Sequence, residues 1–88
     1  MHNTIYNFNG IAVHMTGADI APNPCFCGVL LYTQRGIGQT QYAQWWATPT
    51  QNGFAVRIRT ISGREFTSQQ SATFNLGLEV AAFANSVL

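Results

Sequence analysis

Short runs in which apolar and polar residues alternate, broken by Asn-Gly or Ser-Gly, most narrow what this chain folds into. A period of two matches a strand, whose successive side chains point to opposite faces, and the breaks are dipeptides that accept tight hairpin turns. Tyr6-Asn7-Phe8 and Ile11-Ala12-Val13 flank Asn9-Gly10. A two-residue type I′ turn there sets Phe8 opposite Ile11, Asn7 opposite Ala12 and Tyr6 opposite Val13, which makes one face apolar. The competing arrangement is a single strand with a glycine bulge near Gly10.

Further along, Thr16 to Pro24 carries Gly17, Asp19, Pro22, Asn23 and Pro24 and reads as a loop, because proline offers no amide proton to a ladder. Phe26 to Gln34 is apolar on both alternating sets and predicts a central strand covered on two sides. Gly36-Ile37-Gly38 is a turn; it lacks the lysine and the helix that a phosphate loop needs. Gln39 to Thr48 is compatible with helix through Gln and Ala, but Thr40, Tyr42, Trp45 and Trp46 favour a strand, which Pro49 and Asn52-Gly53 end. Phe54 to Phe66 is the plainest hairpin. With Ser62-Gly63 as a two-residue loop, Arg59 lies opposite Phe66, so one face carries Phe54, Val56 and Ile58 and the other Arg57, Arg59, Arg64 and Phe66.

From Thr67 the period changes. Thr67 as N-cap with Gln70 three residues on fits a capping box, and Ala72, Leu76, Val80, Phe83 and Val87 recur at helical spacing. A second stripe of Phe74, Leu78, Ala81 and Leu88 widens the apolar arc beyond what one sheet face needs, and Gly77 in mid-helix invites close approach of another backbone. The predicted fold is α+β: an antiparallel sheet of about five to six strands packed by one C-terminal helix, in a single domain of 88 residues.

Only 8% of the residues are charged, against about 25% in ordinary globular chains, and there is no lysine. A net charge of +1 steers nucleic acid or anionic membrane weakly, so neither is an expected partner. A weakly charged surface with 47% hydrophobic residues predicts that another subunit covers part of it, a dimer being the simplest case. The first residues lack a basic and apolar leader and no apolar stretch approaches the roughly 20 residues of a membrane span, which points to a cytoplasmic protein.

Chemistry is scarce. Three carboxylates and two histidines leave few groups to shuttle protons, so the chain is not expected to be an enzyme, and no catalytic residue is assigned. Cys25 and Cys27 share a strand face, but there is no second Cys or His pair to complete a metal site, and they read as small buried apolar residues. His14, with Asp19 as orienter, is a weak partner for either thiol. No cofactor or metal is implied.

Three candidate surfaces remain. Arg57, Arg59 and Arg64 with Phe66 form a partner-binding patch for acidic protein or, less fittingly, phosphates. Trp45, Trp46, Phe74, Leu78 and Leu88 are candidates for an oligomer interface, with one Trp of the adjacent pair in the core. Tyr32, Trp46 and Phe83 are candidates to line an apolar pocket between sheet and helix. In size, order of elements and shortage of catalytic groups the chain is similar to small proteins carried by phages and mobile elements, some of which inhibit host defence proteins. The reading that follows is a non-enzymatic binding protein that self-associates and contacts a host or other partner protein; a pocket binder and a nucleic-acid binder are the alternatives.

Overall fold

A computed structural model describes residues 4–18, 25–33, 38–51, 53–70 and 76–88. Six strands follow in chain order, β1 (Thr4–Phe8), β2 (Ile11–Ala18), β3 (Phe26–Thr33), β4 (Thr40–Thr50), β5 (Gly53–Thr60) and β6 (Glu65–Gln70), and then one helix, α1 (Leu76–Val87). The strands form one antiparallel sheet in sequence order, so each pairs with the next and every described connection between neighbours is local. No described helix is long and apolar enough to cross a membrane.

The first hairpin has the register that Asn-Gly predicts, with Phe8 opposite Ile11, Asn7 opposite Ala12 and Tyr6 opposite Val13. Both turn residues have positive φ, 50° at Asn9 and 81° at Gly10, as a type I′ turn requires. The strand after it runs further than expected. Thr16, Gly17 and Ala18 continue β2 through a bulge between Met15 and Gly17, because an extra residue can be absorbed in a strand that a partner holds. Residues 19–24 of the predicted loop lie outside the described residues.

β4 likewise runs through Pro49 to Thr50, where termination was expected. Its pairing with β3 stops at Ala47, so Pro49 sits where β4 has β5 alone for a neighbour and a missing amide is tolerated. The β5–β6 hairpin departs from a two-residue loop. The Thr60 amide donates to the Arg64 carbonyl at 2.9 Å and the Gly63 amide to the Thr60 carbonyl at 3.0 Å, leaving a three-residue loop with Gly63 at φ 94°. The buried Thr60 hydroxyl fastens the corner, accepting from the Arg64 amide at 3.0 Å. The register therefore shifts by one, placing Phe66 opposite Ile58 and Glu65 opposite Arg59.

The helix begins later than its capping signal. Thr67 to Gln70 belong to β6, paired from Arg57 to Phe54, and Ala72 and Phe74 lie outside the described residues. Thr67 and Phe66 suit a strand, and a ladder already running along β5 outweighs a local capping box. Within α1, Leu76, Gly77, Val80, Ala81 and Ala84 are buried, and Phe83 and Leu88 pack against the core. Gly77, read as allowing close approach of another backbone, and Ala81, part of an arc wider than one sheet face needs, are both buried within the chain.

The core lies between α1 and one face of the sheet, where Val13, Leu30, Trp45, Val56, Ile58 and Val80 have no exposed surface. Its largest member, Trp45, stands directly opposite Gly28. The indole fills the place a Gly28 side chain would take, and its Nε1 donates to the Val29 carbonyl at 3.3 Å. A Cβ on Gly28 would lie 2.9 Å from Trp45 Nε1 and run into the His14 carbonyl oxygen. Gly28→Ala is therefore expected to lower unfolding stability by about 2 kcal/mol or more, read from the urea midpoint. An unchanged midpoint would show that this approach does not hold the β2–β3 register.

Candidate binding face

The one described helix covers one face of the sheet, and no other described element covers the second, the open face. In β3, Leu30 and Tyr32 point to the core, while Cys27 and Val29 are half-buried and Leu31 is exposed. β3 is thus central within the sheet, but the expected burial on both sides is absent because the chain has one described helix to cover two faces. Leu31 stands opposite Tyr42, and each is 46% exposed. Beside them lie Val29 opposite Gln44 and Cys27 opposite Trp46, so the middle of the open face is apolar and uncharged.

At the β5 side this face changes character. Trp46 is opposite Arg57, whose guanidinium carbon sits 4.3 Å from the indole centroid in a cation–π contact. Arg57 Nε is also 3.3 Å from Glu65 Oε2, and with both side chains about half exposed (50% and 42%) this ion pair adds little stability. It does hold the guanidinium in place over the ring. Arg59, opposite Gln44 and Glu65, completes the charged margin.

The arginine patch read from the sequence is consequently divided. Arg57 and Arg59 are on the open face, whereas the one-residue shift puts Phe66 on the core side with Ile58, and the Arg64 guanidinium carbon lies 5.1 Å from the Phe66 ring. The tryptophans are divided as adjacent strand residues must be. Trp45 is fully buried, which removes it from any interface, and Trp46 is half-buried on the open face. Of the other interface candidates, Leu78 is 40% exposed, Leu88 packs on the core and Phe74 is outside the described residues.

Tyr32, Trp46 and Phe83 do not meet in one pocket, since Tyr32 points to the core face and Trp46 away from it. A cavity of about 240 Å³ does include Tyr32, but its other walls are Asn9, Gly10, Ile11, Thr33, Asn85 and Leu88. None of these residues has a charged side chain. Cys25 is partly exposed with Sγ 3.8 Å from the Thr48 hydroxyl, and among the described residues no three His, Cys, Asp or Glu side chains come together. His14 shares the open face with Val29; Asp19 is not among the described residues.

The residues of this face that sequence reasoning gave no role are Leu31 and Val29. Their signal was present: an apolar run on both faces of β3 needs two covering layers, and only one helical segment follows. Comparison with protein-family models, with curated proteins and with solved structures finds no match.

Among titratable groups, Glu79 in the first turn of α1 stands apart. Its Oε1 is buried without a partner among the described residues, and desolvation pushes its carboxyl above the ordinary carboxylate range. A raised folded pKa means that the folded chain keeps this proton to higher pH than the unfolded chain does. Stability is then full below the unfolded value and falls as pH rises through the folded one. Glu79→Gln is expected to raise the thermal midpoint at pH 7 and leave it unchanged near pH 3, where both side chains are neutral. Equal midpoints for variant and parent at both pH values would mean that the carboxylate is solvated at no cost.

Proposed function

We propose that the chain is a non-enzymatic binding protein whose recognition surface is the open face of the sheet. The observation that carries this reading is the cross-strand pair Leu31 and Tyr42, two large apolar side chains left half exposed on the two middle strands of that face. Beside them stand Val29 and Gln44, then Trp46 with Arg57 over its ring, and Thr48 further out. Tyr, Trp and Arg at the centre with few acidic groups and no lysine is the composition of a protein-binding surface. An arginine already placed over an indole is also pre-ordered, so less side-chain entropy is lost on contact.

A phosphate-tracking surface has less support. Arg57 and Arg59 are offset by Glu65 on the same face, which leaves a margin of one net charge, and Arg64 stands on the other side. The partner is therefore a protein, and the likeness in size and element order to small phage-borne inhibitors directs the search to host proteins.

Immobilised wild-type protein and a Leu31→Asp variant, probed with host-cell extract, test this. Leu31 is exposed, so the substitution is expected to leave stability within about 0.5 kcal/mol. Wild type should retain a discrete protein that Leu31→Asp loses, with retention nearly constant between about 50 and 200 mM salt. If both baits hold the same proteins, the contact lies elsewhere; if retention collapses over that salt range, the ligand is a polyanion.

A further inference from the structure

We infer that the outer edge of β6 pairs with β6 of a second copy, joining two sheets into one antiparallel sheet of twelve strands. The inference stands independently of the open face as a recognition surface. β6 ends the sheet, and no described strand lies beyond it. β1, the opposite edge, lies against α1 over more of its length, and α1 reaches β6 only slightly. Proteins ordinarily protect a free edge with lysine, proline or a bulge, because its unpaired amides and carbonyls bind other strands. β6 reads Glu-Phe-Thr-Ser-Gln-Gln, carries none of these, and pairs with β5 without a register shift.

Backbone parity says which groups are free. In an antiparallel pair, opposed residues alternate between those that exchange hydrogen bonds and those whose amides and carbonyls point away. Thr60 and Arg64 exchange a bond at the corner, so Phe66, Ser68 and Gln70 bond to β5 and Glu65, Thr67 and Gln69 turn theirs outward. A partner strand must oppose outward residues to outward residues. For two copies of β6 the register that opposes the most outward residues puts Thr67 opposite Thr67 on a two-fold axis and Glu65 opposite Gln69. No like charges face each other in this register, and facing threonines are a favourable cross-strand pair.

Thr67→Pro tests the edge directly, because it deletes an outward amide and leaves the β5 ladder whole. Light scattering across a dilution series is expected to give twice the 9.7 kDa chain mass for wild type. The variant, shown to be folded by circular dichroism, is expected to dissociate with a constant about thirtyfold higher, from the loss of two hydrogen bonds across the axis. A wild-type monomer at all concentrations overturns the inference, as does a folded Thr67→Pro that remains a dimer. Should Thr67→Pro fail to fold, Thr67→Lys decides: each new charge faces its own copy, so dimerisation must weaken at low salt and recover at high salt, and a dimer indifferent to it overturns the inference equally. Leu31→Asp, three strands away, should leave the mass unchanged whatever it does to partner binding.

Discussion

The seating of Trp45 over Gly28 is the contact on which the rest of the structure depends. A fully buried indole removes about 150–250 Å² from water, which at about 25 cal/mol/Å² is an upper figure of roughly 4–6 kcal/mol. Domains of this length are stable by only about 4–13 kcal/mol in total, so one side chain carries an effect comparable with the whole margin. Three backbone features make room for it: Gly28 supplies no side chain, the β2 bulge follows where the His14 carbonyl comes close to Gly28, and the Val29 carbonyl satisfies the ring nitrogen. A residue with a Cβ at position 28 would displace both the ring and β2, and with β2 the strand against which α1 lies.

From that core the uncovered face follows by arithmetic. A helix of 12 residues is about 18 Å long and about 10 Å wide, while six strands at about 4.8 Å spacing make a sheet about 29 Å across. One such helix, lying towards β1 and β2, is narrower than a single face, so none of it is left to cover the second. The chain nonetheless places Val29, Leu31, Tyr42 and Trp46 on the side it cannot seal. Large apolar groups gathered there, in a protein with so few charges to keep copies apart, are better explained by recognition than by folding.

Order of elements, strand positions and the Asn9-Gly10 register were legible because each rests on a local rule: period two, period 3.6, and the backbone twist of a type I′ turn. The second hairpin shows where local rules stop. Ser62-Gly63 fits a two-residue loop as well as the last two positions of a three-residue loop, and the choice turns on the hydroxyl of Thr60 and the core position of Ile58. Since strand faces alternate, that single residue moved Phe66 and Arg64 to the opposite side and dissolved the arginine patch. Thr67 to Gln70 are ambiguous for the same reason. Their capping signature is contained in four residues, but the ladder to β5 that makes them a strand is set by residues Phe54 to Arg57, which lie further back along the chain than any capping contact reaches.

Edge and face are linked through this geometry. Residues directly opposed across an antiparallel pair share a face, so two sheets joined at Thr67 about a perpendicular two-fold axis present their open faces on one side and their helices on the other. Thr67 then lies at the centre of a single surface, flanked on each side by a Glu65–Arg57–Trp46 stack and further out by the Leu31–Tyr42 pair. Two weak contacts on such a surface act together, because after the first forms the second is intramolecular. A domain too small to build a broad interface alone would double it by pairing at this edge, which would give β6 a reason to carry no lysine, proline or bulge.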